Sequence, residues 1–544
     1  MSRAALYYHT IRHLRPIQVA TRLWYAVHRA RADLRAPARP RIPTALYVAP
    51  RNPEPSLLGP DTFRFLNVER RCATACDWQP AEAAPLWAYN LHYFDDLNAR
   101  DSPQRATWHR NLLQRWVTEN PPGSSVGWDA YPLSRRLVNW IKWALQGNSL
   151  PPGCEASMAV QARWLTHHLE YQILGNHLLA NAQALIHVGL YFEGAESQRW
   201  YERGLGLLNR QLSAQVLSDG GHFELSTMYH AIVLEDLLDL VNVVRSYGRE
   251  PPPAWLEVVA RMRRWYLCMT QPDGDLAFFN DATFDVAAQA TSLDAYAGRL
   301  GLARVASPPE ALTVLAASGY VRACAGPAWL LCDCAAVGAS YQPGHAHADT
   351  LSFELSLGRQ RVIVNSGVSE YGRGPERQRQ RGTAAHNAVV LNGVDSSEVW
   401  AGFRVARRAR ATLHSAALEG PAVRVEASHD GYRRLPGANI HRRVFRLDAA
   451  ELQIVDEISG SYTNAEAWFH LHPRLRPRTD GPDTVVLTCD EVELATCQFQ
   501  AAAAVEVVPD TWQPAFGVRQ PSTCIRVRLQ GGRLVSTVRW GAAA

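Results

Sequence analysis

The sequence predicts an α+β multidomain protein, a helical array followed by a large antiparallel β-sandwich, and two observations carry that prediction. From about Trp87 to Leu300, apolar residues recur at helical spacing in one segment after another, with Gly and Pro turns between them and no intervening strand. After Ser307-Pro308-Pro309, which reads as a linker, the chain becomes a series of short alternating runs, too many for one small sheet. The length agrees, because 544 residues exceed what a single core serves.

The first 35 residues read as basic and amphipathic. Pro16 can open a helix, and Ile17, Ala20, Trp24 and Val27 share a face bordered by Arg12, Arg15, Arg22, Arg29 and Arg31. Such a helix either packs on the body of the protein or docks on a membrane surface or an assembly partner. Pro37, Pro40, Pro43, Pro50, Pro53 and Pro55 then mark an extended arm. The expected domains are therefore residues 1–75, a helical domain over 76–306 and a sandwich over 307–544.

Helices are expected from Tyr131 to Leu145, from about Met158 to Tyr191, and from Ser226 onward, where Val233, Leu237 and Leu240 share a face. Strands are expected at Leu351 to Leu357, Val362 to Val364, and Val389 to Leu391 followed by an Asn392-Gly393 turn. Others are expected at Arg443 to Leu447, Leu452 to Val455, Ala467 to Leu471, Thr484 to Leu487 and Ile525 to Leu529.

Composition narrows the function. The chain is 47% hydrophobic and 20% charged, as globular proteins are, and its 17 Trp and 19 Tyr serve the core first, though such rings also stack on sugars. A formal net charge of +5, carried almost wholly by Arg, suits an acidic ligand and is too small to point to nucleic acid. No phosphate loop suggests a nucleotide. The ten Cys residues show neither Cys-x-x-Cys pairs nor zinc-finger spacing and read as reduced and mostly buried. No apolar run reaches the roughly 18 residues of a membrane span. His9, Arg12, His13 and Arg15 interrupt any signal-peptide core, so the cytoplasm or the periphery of a membrane is expected ahead of the periplasm.

Three segments concentrate polar residues. In Gly344-His345-Ala346-His347-Ala348-Asp349, an extended backbone puts His345, His347 and Asp349 on one side, ahead of a strand with one wet face. Asn176 and His177 lie near the start of a long apolar helix, after Gly175, which allows a bend. Asp219-Gly220-Gly221 makes a turn, and Ser226 is a candidate N-cap that holds Tyr229 and His230 in the first helical turn, where the helix dipole can assist a phenolate. Farther on, His347 and His386 could share a metal with a third oxygen ligand.

Together these segments resemble the heparinase II/III-like polysaccharide lyases. The resemblance is carried by Gly175-Asn176-His177, Asp219 to His230, Gly344 to Phe353, Val364-Asn365-Ser366-Gly367, His386-Asn387-Ala388-Val389 with Asn392-Gly393, and Trp468 to Pro473. It implies an incomplete α/α toroid ahead of the sandwich, with an acidic polysaccharide cleaved by β-elimination in the groove between them. That reaction removes the weakly acidic C5 proton of a uronate, so the neighbouring carboxylate must be neutralised by hydrogen bonds, a base must take the proton and an acid must protonate O4. Asn176 suits neutralisation; Tyr229 can serve as acid, base or both; His345 and His177 are the other candidates; His230 suits positioning. The resemblance also implies one structural divalent metal such as zinc at His347, Asn365 and His386, with Asn365 standing where the family usually has Asp. A member retained inside the cell, or tethered by its basic N-terminus, could act in exopolysaccharide synthesis or trimming. Two further readings fit the same residues: a uronyl C5-epimerase and a noncatalytic glycan-binding or assembly protein.

Overall fold

A computed structural model describes residues 3–28, 31–306 and 310–541. Two helices, α1 (Arg3–Ile11) and α2 (Pro16–Val27), open the chain, and Pro16 does occupy the first helical turn. The Pro-rich arm follows without regular structure until a small hairpin, β1 (Thr62–Phe65) and β2 (Val68–Arg71), which alternation did not reveal because only Phe63 in it is buried.

The helical domain runs through α3 (Pro85–Leu91), α4 (Ala106–Glu119), α5 (Ala130–Leu145), α6 (Cys154–His167), α7 (Gly175–Tyr191), α8 (Gly194–Gln215), α9 (Thr227–Ser246), α10 (Pro253–Cys268) and α11 (Ala290–Arg299). Helix α7 is buried almost all round and packs against α5, α6, α8 and α9. The single helix expected from Met158 to Tyr191 is two helices. Leu174 and Gly175 both take positive φ, 68° and 60°, and turn the chain so that α7 starts afresh at the cleft. An added Cβ at Gly175 would collide with the Glu224 carboxylate, so this close approach requires glycine. Much of the aromatic load is core, with Trp116, Trp140, Trp143, Trp255 and Trp265 fully buried.

The expected linker at Ser307-Pro308-Pro309 lies outside the described residues. Beyond it a five-stranded antiparallel sheet is built in sequence order from β3 (Leu312–Leu315), β4 (Tyr320–Ala325), β5 (Ala328–Asp333), β6 (Phe353–Leu357) and β7 (Gln360–Ile363). Eight strands between Ala411 and Arg539 form a second sheet, and four more, including Val389–Leu391 and Ala465–His470, form a third. Asn392 and Gly393 both have positive φ, as the turn signal requires. All ten cysteines are unpaired and most are buried. Among the described residues, no helix is long and apolar enough to cross a membrane.

Two expectations fail at the junction of the domains. The segment from Gly344 to Ser352 is irregular, and the strand begins only at Phe353. Its supposed wet face is buried: Glu354 accepts hydrogen bonds from Gln271 Nε2 (2.6 Å), Phe278 N (3.2 Å) and Asn365 N (2.9 Å), while Ser356 Oγ donates to Gln271 Oε1 (2.7 Å). The polar alternation of β6 therefore faces the helical domain's exit segment, and burial pushes the Glu354 carboxyl up to about 7 despite the opposing Arg361 charge.

Candidate active site

A cleft of about 1840 Å³ lies between the toroid and the sandwich, and Asn176, His177, Tyr229 and His345 all line it. Short segments that are far apart in sequence, around Asn176, Tyr229, Asp281, His345 and Tyr371, build it. Ser226 caps α9 by accepting from Tyr229 N (3.1 Å) and also donates through Oγ to Asp281 O (2.5 Å), so one hydroxyl ties the start of α9 to the loop that carries Asp281.

Tyr229 stacks face to face on His345, with ring centroids 3.8 Å apart, and its hydroxyl lies 3.2 Å from that of Tyr371. Burial, reinforced by Tyr371, holds its phenol well above the usual range. The expected dipole-assisted phenolate is thereby corrected: at neutral pH the group is a proton donor.

His345 presents the complementary group. Its Nδ1 lies 2.8 Å from Asp281 Oδ2. Asp281 is fully buried; burial opposes its charge, but Arg377 and the two histidines it touches hold its carboxyl well below the usual range. Arg377 engages both oxygens, with Nη2 2.7 Å from Oδ2. An ionised carboxylate only accepts, so His345 donates to it through Nδ1–H, which fixes the orientation of the ring.

Asn176 donates through its backbone N–H to Glu224 Oε1 (2.9 Å) and through Nδ2 to Oε1 and Oε2 (3.1 and 3.0 Å). Glu224 Oε2 also lies 3.7 Å from His345 Nε2. One amide N–H aimed between the two carboxylate oxygens satisfies both distances and leaves the second N–H for a ligand. His177 lies next along the helix, with Nδ1 2.9 Å from Glu170 Oε1. Burial works against its charge, but the Glu170 carboxylate prevails and raises it above the ordinary histidine range.

His230 does not reach the cleft. Its ring stacks on Trp265 at 4.2 Å, its Nδ1 accepts from His222 N (3.2 Å) and its Nε2 contacts Met262 O (2.9 Å). One residue farther along α9 than Tyr229, it points into the core and braces the loop before the helix. Asp219 makes the expected turn by accepting from Gly221 N (3.0 Å), and its other oxygen binds Ser318 N (2.7 Å) and Oγ (2.9 Å).

Behind the cleft, His347 Nε2 meets Asp281 Oδ1 at 2.8 Å, and its Nδ1 lies 3.2 Å from His386 Nε2. Asn365 is not placed as a ligand. Its Nδ2 donates to Phe278 O (2.7 Å), which fixes Oδ1 as an acceptor for His386 Nδ1–H (3.1 Å), on the outer side of that ring. The third potential ligand is instead Asp349, whose carboxylate gathers with His347 and His386 in one buried group. The two inner ring nitrogens, each left with a lone pair once its outer partner is satisfied, sit close to the roughly 3.3 Å expected between two nitrogens on one tetrahedral zinc. The residues thus fit a small divalent cation.

Asp281, Glu224, Tyr371 and Arg377 escaped the reading of the sequence. Glu224 alone carried a signal, since it falls within the segment from Asp219 to His230.

A helical toroid faces a sandwich across a cleft that holds a neutral phenol, an oriented imidazole and a buried amide, which defines a toroid–sandwich class of protein. The chain belongs to the heparinase II/III-like family: "Heparinase II/III N-terminus" matches residues 149–298 and "Heparinase II/III-like, C-terminal" matches residues 307–541. A heparin-sulfate lyase of Bacteroides stercoris is 35% identical over 115 residues, 21% of this chain and only 17% of that protein. FtsZ-localized protein C of Caulobacter vibrioides is 26% identical over 458 residues, 79% of this chain and 77% of that one. Among solved structures, a heparinase III superposes with a TM-score of 0.69 at 17% identity, covering 85% of this chain and 79% of that one, which supports the fold.

Proposed function

We propose that this protein is a polysaccharide lyase that cleaves a uronate-containing acidic polysaccharide by β-elimination, within exopolysaccharide metabolism. The observation that carries the reading is His345, oriented by Asp281 and stacked on the neutral phenol of Tyr229 within the cleft. Asn176 Nδ2 and His177 hydrogen-bond the uronate carboxylate, which lowers the barrier to losing the C5 proton. His345 Nε2 takes that proton. The C5 electron pair forms the C4–C5 double bond, the C4–O bond breaks, and Tyr229 gives its proton to the departing oxygen while Tyr371 hydrogen-bonds the phenolate left behind. The basic rim at Arg373, Arg404 and Arg408 suits an acidic chain, whereas Arg51, Arg135 and Lys142 on the floor are already paired with Glu235, Asp236 and Asp239. Relatives named as heparin-sulfate lyases support a glycosaminoglycan-type substrate.

The fate of the C5 hydrogen tests this reading. In heavy water, an array of acidic glycans incubated with the protein should include one that shortens and gains a conjugated double bond at each new end. Deuterium entering C5 of uncut chains would instead establish a uronyl C5-epimerase. Neither change on any glycan that binds would establish the noncatalytic assembly role suggested by the FtsZ-localized relative.

We further propose one structural divalent metal such as zinc held by His347, Asp349 and His386, with Asn365 orienting His386 from outside. Bound there, the ion would brace the rim of the sandwich behind His345. His386→Ala should remove the metal and lower Tm, whereas Asn365→Asp should not raise metal content, because Oδ1 faces the outer nitrogen. Elemental analysis that finds no divalent ion in the purified natural protein defeats the assignment.

A further inference from the structure

The polarity of α2 is inverted. Its inner face is the polar stripe of Gln18, Thr21, Arg22 and Tyr25, spaced as one side of a helix. Gln18 Nε2 donates to Tyr341 O (3.3 Å) and Ile173 O (3.4 Å), Arg22 Nη2 to Gln172 O (3.1 Å) and Tyr25 OH to Leu169 O (2.8 Å). Gln18 and Thr21 are the buried residues of this helix. The apolar face points away from the body: Leu23 is 66% exposed, Trp24 55% and Val27 75%, flanked by Ile17 and Val19. Tyr8 of α1 is likewise exposed, at 65%. A surface helix that needed only to cover its own domain would bury these residues and expose Gln18 and Thr21.

Charge indicates what covers the face. Residues 1–32 contain Arg3, Arg12, Arg15, Arg22, Arg29 and Arg31 and no Asp or Glu. Arg203 adds a further cation beside Trp24, at the shallow pocket between α2 and the toroid. An apolar strip with an indole, in a segment whose charged residues are all cations, matches the interface of an anionic bilayer, where the apolar side chains sink to the acyl boundary, Trp rests among the headgroups and Arg pairs with lipid phosphates.

We propose that the outer face of α1 and α2 docks the protein in the plane of an anionic lipid bilayer. The body is fixed to that surface through both domains, since α2 bonds to the toroid while Thr10 and Tyr7 of α1 engage Val405 and Trp400 of the sandwich. Tyr7, Thr10, Ile11 and Leu14 also line the cleft, so docking sets the cleft mouth beside the bilayer and within reach of membrane-proximal glycan. This proposal stands independently of the lyase reading.

The test is flotation of the full chain with phosphatidylcholine vesicles, with and without phosphatidylglycerol. The wild-type protein should float with the anionic vesicles, less so as salt is added, and remain unbound to the neutral ones. Leu23→Glu and Trp24→Glu each place a charge on an exposed position outside the cleft; they should weaken binding about tenfold or more while leaving Tm and glycan turnover unchanged. Three results would overturn the proposal: no flotation of the wild type, flotation of both variants equal to wild type, or no flotation together with a wild-type dimer that Leu23→Glu converts to monomer. The last assigns the face to a second copy of the chain.

Discussion

Tyr229→Phe is expected to lower kcat by about 10²–10³-fold while KM and Tm change little. The substitution keeps the ring that stacks on His345 and removes only the hydroxyl. That hydroxyl is positioned for donation rather than abstraction, because burial and Tyr371 hold its phenol well above the usual range. The loss should therefore depend on the leaving group, being smallest for a substrate whose departing oxygen is already weakly basic. Tyr371→Phe should cost less, about tenfold, since its hydroxyl contacts the acid rather than the scissile oxygen. Single-turnover measurements on a validated glycan decide the matter: near-normal turnover by Tyr229→Phe removes it from the mechanism, and equal losses in the two variants would mean that the pair acts as one unit.

The parts of this site that were legible in the sequence are those set by local rules. Ser226 lies three residues before Tyr229, so capping alone fixes the phenol in the first turn of α9. Gly175 announces the break that starts α7 at Asn176, even though the pattern around it reads as one long helix. The rest depends on contacts between distant segments. Asp281 sits in an irregular loop with no motif, yet it orients both His345 and His347 because Arg377, from a seven-residue helix of the sandwich, neutralises it. Spacing cannot reveal that pairing. Asn365 resembled a ligand because it holds the family's ligand position, but Phe278 O captures its amide and turns its carbonyl outward. Similarly, amphipathicity locates the apolar face of α2 and says nothing about the side on which the body lies; the polar anchors Gln18 and Tyr25 settle that.

Asn176→Asp is expected to be at least as damaging as Asn176→Ala, with kcat reduced by about 10³-fold or more, and to be partly separable from its cause by a second substitution. In the natural protein the amide stands 3.0 Å from Glu224 Oε2, so an aspartate there faces an existing buried carboxylate as well as the incoming uronate. Two carboxylates that close do not both ionise readily, and the fold should lose stability at neutral pH and regain it as acid supplies the shared proton. Glu224→Gln in the Asn176→Asp background removes that repulsion, and its single oxygen at the Oε1 position can still accept from the backbone N–H of residue 176. The double variant should therefore recover Tm without recovering turnover, because the charge opposing the enolate remains. Recovery of both would show that Asn176 serves only to satisfy Glu224, and wild-type activity in Asn176→Asp alone would remove it as the group that neutralises the substrate carboxylate. Recovery of stability alone leaves Asn176 where the geometry places it, with one N–H spent on Glu224 and the other directed at the charge that develops as C5 loses its proton.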